Sequence, residues 1–457
     1  MYAVLRALAR VALSWYYGRI EVTGLSRIPS RGPVLLAGNH PNALIDALVI
    51  GVLVPRRLRM LAKATLFANP LAARALRGLG VIPLQRAKDV RRDDATSTPT
   101  ADPARNAESF AAVTAALQRE SAVLIFPEGI SHDAPQLAPL RTGLARMAIA
   151  AHEASVSDLT IVPLGLVFEA KEVPRSRVLL QVGDPLVVAA LPSEARTVAA
   201  LTAEVERRLR AVTINFANAE HAARITSLAH ALAVLLAPVR TVGARTHDLA
   251  DVARLTRRIA RAAARLDDVQ QSTTPMARAL AERALAFETR FAAFRARLDT
   301  EQIAIDDVGI DPGGTAGARF AVRESARALL LGPVGLWGRV NHWLPLRLTR
   351  WMALRGTQSR DEPAMRSVVL GALLVLTFYA VQTAAVAATV GGWWATGYAL
   401  TLIPSASHDL RSGDRWRRAR ARARTYRRFR QEPALQSELM AEARWLREEA
   451  GRIEAAL

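Results

Sequence analysis

The 457 residues predict an α/β domain, a mixed sheet flanked by helices, followed by an all-α region and a C-terminal membrane hairpin. Three observations carry that reading. Short β-rich apolar runs alternate with helical patterns over 20–190, the mark of an α/β domain. Strands vanish from about 195 onward, and 367–407 holds 41 residues without Asp, Glu, Lys, Arg or His.

Taken in order, 1–20 (MYAVLRALARVALSWYYGRI) is expected to be an amphipathic surface helix, because Arg6 and Arg10 interrupt what would otherwise be a signal-peptide core. The α/β domain is expected at 21–194, with strands at 34–37, 81–84, 123–126, 160–166 and 178–182. Helical patterns at 43–53, 68–78, 106–119 and 141–153 separate them, and the polar stretch 87–106 reads as a surface loop. A helical region follows at 195–305, where Ser272-Thr273-Thr274-Pro275 divides two Ala/Leu/Arg-rich helices at 245–270 and 276–300. The Gly- and Asp-rich stretch at 306–326 reads as a linker, 327–410 as interfacial and transmembrane segments, and 411–457 as a basic then acidic helical tail.

Composition narrows the function classes. The absence of cysteine excludes a disulfide scaffold, a zinc knuckle, an iron–sulfur site and a thiol nucleophile. At 51% hydrophobic residues, long disorder is not expected. The net charge is +20, and 58 of the 61 cations are arginine; only Lys63, Lys88 and Lys171 are lysine. A basic surface suits nucleic acid or the anionic face of a membrane. Hydrophobic patterning separates the two. The uncharged run is too long for one span and long enough for two short ones, with Gly391-Gly392 near the turn. Arg366 precedes it and ten arginines lie between Arg411 and Arg430, which places both feet of a hairpin in the cytoplasm. One long span with an interfacial segment is the alternative. Residues 327–355 mix Trp337, Trp343 and Trp351 with arginines and are broken by Pro333 and Pro345, so they read as interfacial or re-entrant helices.

Four segments beside predicted strands look chemical, where α/β folds place their sites. In GNHPNALID, Pro41 keeps His40 out of a helix and Asn42 is a good N-cap for one starting at Ala43. Asp46 then faces back toward His40; a carboxylate on one imidazole nitrogen lets the other take a proton. The plainer reading is a turn histidine beside an unrelated aspartate. In GLGVIPLQR, Arg86 ends a strand and could pair with a phosphate. In LIFPEGISHDAPQLAPLRTG, Glu128 could bind a substrate hydroxyl or simply cap a helix, Gly129 allows close backbone approach, and Arg141 with a helix N-terminus makes an anion site. IVPLGLVFEA is mainly a core strand with Pro163 at its mouth. No GxxxxGK[ST] or HExxH is present and no metal site is expected; Gly129–Asp133 half resembles a GxSxG elbow but ends in Asp, which disfavours a serine hydrolase without removing Ser131 from consideration.

In this order and spacing, the four segments over about 20–190 resemble the glycerolipid acyltransferase family, which acylates glycerol 3-phosphate or lysophosphatidate. The resemblance implies His40 as general base with Asp46 as its partner. It also implies Arg86, Glu128 and Gly129 in blocks associated with the phosphate-bearing acceptor, and Pro163 in the block associated with the acyl donor. The common family form has four residues between His and Asp; here there are five. That spacing and the PEG-x-SHD-x-P run at 127–135 resemble a glycerol-3-phosphate or dihydroxyacetone-phosphate acyltransferase branch. No bound cofactor is expected. Implied partners are an acyl-CoA or acyl carrier protein thioester, a phosphate-bearing glycerol acceptor and membrane lipids, with the catalytic domain on the cytoplasmic side. Two competing functions are a catalytically silent membrane lipid-binding or scaffold protein, and a nucleic-acid binder using Arg411–Arg430. The second is disfavoured because aromatics are sparse there and the run abuts the hydrophobic stretch.

Overall fold

Strands apolar on both faces need cover on both, and that requirement organises the first of two compact units, Met1–Ala217 with Arg350–Ala372. The computed structural model describes residues 2–84, 103–235, 248–270, 274–355 and 362–456. Its first unit runs α1 (Tyr2–Tyr16), β1 (Arg19–Thr23), β2 (Val34–Gly38), α2 (Ala43–Leu53), β3 (Leu58–Lys63), α3 (Pro70–Gly78) and β4 (Ile82–Leu84). It continues with α4 (Pro103–Gln118), β5 (Ala122–Ile125), α5 (Gly143–Glu153), β6 (Thr160–Phe168), β7 (Arg177–Val182), β8 (Leu186–Val187) and α6 (Val198–Val212).

The strand order is β1-β7-β6-β2-β5-β3-β4, with β8 on β6. Neighbours are parallel except β6 with β7 and β6 with β8, so the sheet is mixed. Alternation along β2 sends Val34 and Leu36 to one face, against Leu13, Tyr17, Ile45 and Ile50. Leu35 and Ala37 go to the other, against Val113, Leu117, Met147 and Leu209. Helices α1 and α2 cover the first face; α4, α5 and α6 cover the second.

The described part of the domain is larger than 21–194. The N-terminal helix is a core element at one end of this unit, because Leu13 and Tyr16 are buried. Its Arg6 also donates to the carbonyls of Val52 and Val54, and Arg10 to that of Val52, satisfying orphan acceptors at the end of α2. On the other side α6 is bound in by Leu201, Val205 and Leu209. The short strands β1 and β3 escaped the apolar-run criterion, since RIEVT and LRMLAK each carry two charged residues.

The second unit, Asn218–Thr349 with Leu373–Leu457, is all helical. It contains α7 (Ala219–Leu235), α8 (Leu249–Gln270), α9 (Pro275–Thr300), most of α10 (Gly314–Leu354) and α11 (Glu362–Thr389), α12 (Gly392–Gln431) and α13 (Pro433–Ala456). Thr274 caps α9, its hydroxyl accepting from the Ala277 N–H at 3.3 Å with Pro275 opening the helix. The expected linker 306–326 is shortened by α10, which begins at Gly314; Arg415 on α12 holds Glu324 of that segment at 2.7 Å. Nor is 327–355 broken at its prolines: α10 is continuous through Pro333 and Pro345, and the Thr349 hydroxyl donates to the Pro345 carbonyl at 2.7 Å.

Gly391, at φ +111, separates α11 from α12 where the turn was expected. Among the described residues, one helical segment, Pro363–Thr389, is long and apolar enough to cross a membrane. The arginine run is split by the helix it forms. Arg422 and Arg428 pair with Asp307 and Glu301, each at 2.9 Å, whereas Arg420, Arg424 and Arg427 remain exposed.

One glycine in β6 is required by packing. A Cβ at Gly165 would overlap the Val212 carbonyl oxygen at the end of α6, the same oxygen that accepts from the Gln181 amide at 3.1 Å. Gly165→Ala is expected to destabilise the unit by about 1–3 kcal/mol, through overpacking. A lowered midpoint in chemical denaturation checks this; an unchanged midpoint would show that α6 withdraws at no cost.

Candidate active site

The site grows from the carboxyl end of β2. Asn39 leaves the strand, and its side-chain amide extends the ladder: Oδ1 accepts from the Leu166 N–H at 2.7 Å and Nδ2 donates to the Leu166 carbonyl at 3.1 Å. That pairing fixes the direction in which His40 departs. The imidazole of His40 stacks on Phe126, with centroids 4.0 Å apart and planes 7° from parallel. Its Nδ1 lies 2.9 Å from Asp46 Oδ2; the histidine side chain is 15% exposed and the aspartate 0%. The structure therefore brings together the two residues that the sequence pairs. With Asp46 ionised, Nδ1 carries the proton and Nε2 the lone pair, and Nε2 has no partner among the described residues.

The route by which Asp46 returns to His40 differs from the one expected. Asn42 does not cap α2 with its side chain. Its Nδ2 donates instead to the buried Tyr17 hydroxyl at 3.0 Å, while its backbone N–H donates to Asp46 Oδ2 at 2.7 Å. Ala43, the first residue of α2, has φ +46, a left-handed conformation that costs an L-residue about 1–2 kcal/mol. Its N–H donates to Ser131 Oγ at 2.9 Å, so this hydroxyl caps α2 from another loop.

Burial pushes the Asp46 carboxyl above its ordinary value; the hydrogen bond and charge of His40 and the Asn42 N–H pull in the opposite direction without cancelling it. Burial, with the nearby Tyr16 and Asp46, also raises the Tyr17 hydroxyl, which stays a neutral partner to Asn42.

Glu128 is 2% exposed and faces inward. Its Oε1 accepts from the His40 N–H at 2.8 Å; Oε2 accepts from the Ala138 N–H at 2.7 Å and from His132 Nε2. His132 Nδ1 accepts from the Ala134 N–H, which leaves Nε2 as the donor to Glu128. The carboxylate thus ties the loop after β5 to the loop after β2, and both of its oxygens accept from donors of the protein itself. Gly129 turns the chain at φ +73 and admits the Arg141 side chain, whose Cγ would lie 3.3 Å from a Cβ there. Arg141 is exposed before α5, its N–H held by the Pro127 carbonyl at 2.8 Å and its guanidinium unpartnered among the described residues.

Pro163 is not at the mouth of its strand. It is buried within β6, in register with Ala37, and packs against Gly183, whose N–H donates to its carbonyl at 2.9 Å. Arg86 lies outside the described residues.

Three residues of the constellation were not read as functional from sequence: Asn39, Tyr17 and Lys171. Lys171 donates to the Pro41 carbonyl at 2.7 Å and to Asp133, tying both loops together. Lys63 ends β3, exposed and without a partner among the described residues. The rarity of lysine in an arginine-rich chain was the available signal for both.

Comparison with known proteins bears on the same segment. Residues 19–167 match the acyltransferase family model. The match covers about a third of the chain and includes His40, Asp46, Glu128, Gly129 and Arg141. Over 84 residues the chain is 42% identical to glycerol-3-phosphate O-acyltransferase 2 of Saccharomyces cerevisiae, covering 18% of this chain and 11% of that protein. It is 22% identical over 260 residues to an uncharacterized acyltransferase of Schizosaccharomyces pombe, covering 40% of this chain and 38% of that one. The chain spans well under half the length of either relative. A crystal structure of the 1-acyl-sn-glycerophosphate acyltransferase PlsC from Thermotoga maritima aligns with a TM-score of 0.35 at 18% identity, over 46% of this chain and 78% of that one.

Because burial raises Asp46, the native state holds its proton more tightly than the unfolded chain does. Stability from this group is complete below the ordinary carboxylate value and falls as pH rises through the raised native value. Asp46→Asn removes the dependence. Denaturation across acidic to neutral pH is expected to show the wild type losing ground to the variant as pH rises. A wild type that gains ground instead would mean that His40 outweighs burial.

Proposed function

We propose that this protein transfers a fatty acyl group from a thioester donor, acyl-CoA or acyl carrier protein, to a hydroxyl of glycerol 3-phosphate or lysophosphatidate. The observation that carries the reading is the bare Nε2 of His40, with Nδ1 held by a buried carboxylate, at the carboxyl edge of a sheet inside the segment that matches the acyltransferase family. An alcohol has a pKa far above neutrality, so a positioned base contributes about 10²–10⁴ in rate.

His40 Nε2 takes the hydroxyl proton as the oxygen attacks the thioester carbonyl carbon. The imidazolium so formed is stabilised by Asp46 at 2.9 Å. Backbone N–H groups stabilise the oxyanion. The C–S bond then breaks, the thiolate recovers the proton from His40, and an ester and a free thiol leave. No covalent enzyme intermediate is needed, which suits a chain without cysteine. Arg141 and Lys63, exposed cations near the loop ends, are suited to the acceptor phosphate, and Arg86 is assigned the same role from its sequence position.

We place the chain at a membrane, through Pro363–Thr389 and the apolar start of α12, where Trp393 and Trp394 are 86% and 67% exposed. The hairpin and its cytoplasmic orientation rest on the arginines that flank it.

Membranes carrying wild type or His40→Ala, assayed with labelled acyl-CoA and each acceptor in turn, are expected to show transfer to one acceptor and a loss of about 10²–10⁴ in the variant. No transfer to either, with acyl carrier protein as alternative donor, would favour a silent lipid-binding protein. Arg141→Ala is expected to raise KM for the phosphorylated acceptor, with kcat changed less; an unchanged KM removes Arg141 from the acceptor site. Resistance of the protein to extraction by high salt and alkali checks the membrane placement.

A further inference from the structure

Five residues between His40 and Asp46 are one more than the common pattern, yet the two side chains meet at 2.9 Å. One residue of this spacer departs from ordinary backbone geometry. Ala43 turns left-handed at φ +46, so that Asn42 N–H and His40 Nδ1 converge on the same Asp46 oxygen. An alanine holds that conformation only where its surroundings over-determine it.

Here the surroundings come from one tripeptide of the loop after β5. Ser131 Oγ accepts the Ala43 N–H at 2.9 Å. The His132 N–H donates to the His40 carbonyl at 3.3 Å, and its ring donates to Glu128, which receives the His40 N–H. Asp133 takes Lys171, whose ammonium also holds the Pro41 carbonyl at 2.7 Å. Thus His40, Pro41 and Ala43 are gripped by Ser131-His132-Asp133 directly or through one intervening side chain.

We propose that this tripeptide, with Lys171, is a brace for the longer His–Asp spacer, and that its members are positioning residues for His40. The inference rests on reading His40 as the base. It makes two departures from the common pattern, the extra residue before Asp46 and the SHD run after Pro127-Glu128-Gly129, parts of one device.

The test is a coupling experiment. Ser131→Ala is expected to lower kcat by about 10²-fold, the scale of an ångström of misplacement, with KM for both substrates unchanged and the melting temperature close to wild type. Ser131→Thr, which keeps the hydroxyl, should restore most of the rate. Deleting Ala43 shortens the spacer to four; in that background Ser131→Ala should cost no more than about threefold, since interacting changes are non-additive. Equal losses in both backgrounds, or a loss confined to KM, would overturn the brace. A second readout is independent of acyl transfer: the rate at which diethyl pyrocarbonate modifies His40, followed by mass spectrometry. Ser131→Ala should change that rate several-fold and Ser131→Thr should not; identical rates in all three proteins would overturn the inference. Absence of acyl transfer in the wild type overturns the functional reading, while the modification rates still decide the brace.

Discussion

A carboxylate removed from water must be supplied with donors or it protonates, and the arrangement around His40 follows from satisfying two of them. Asp46 is fully buried; its Oδ2 is met by an imidazole and the Asn42 N–H, while Oδ1 has no partner among the described residues. Glu128 is nearly so and is met by two backbone N–H groups and a second imidazole. The donors to Asp46 both come from the loop after β2, whereas those to Glu128 come from the loops after β2 and β5, so satisfying Glu128 ties the two loops together.

The resulting site is rigid in its supports and open at one atom. Stacking on Phe126, the Asp46 contact and the backbone bonds leave the His40 ring little freedom. Nε2 is the ring nitrogen left without a partner among the described residues. This suits general-base chemistry, in which misplacement of the base costs more than a modest change in its basicity.

The second unit is held by a different economy. Its α12 carries ten arginines between Arg411 and Arg430, and helical periodicity distributes them around the axis. Arg415, Arg422 and Arg428 meet carboxylates from preceding segments, while Arg420, Arg424 and Arg427 face outward. A run that looks like one electrostatic feature in sequence is two in three dimensions: a clamp within the unit and an exposed basic face.

Local chemistry determined a good deal by itself. The alternation that makes β2, β5, β6 and β7, the helical patterns of α2 to α5, the turn at Gly391 and the pairing of His40 with Asp46 are all written in neighbouring residues, because periodicity and turn propensity act over a few positions. The short charged strands β1 and β3 were not legible, since their pairing depends on partners far along the chain. The same holds within the site. Glu128 turned inward, Pro163 was placed in mid-strand, Ser131 became a cap, and Asn39, Tyr17 and Lys171 joined the support, through contacts between residues from 25 (Tyr17 with Asn42) to 130 (Lys171 with Pro41) positions apart. The pairing of His40 with Asp46 was a matter of residue type and local spacing; what holds the pair in place was decided by tertiary structure, because a buried polar atom is satisfied by whichever donor the fold brings to it.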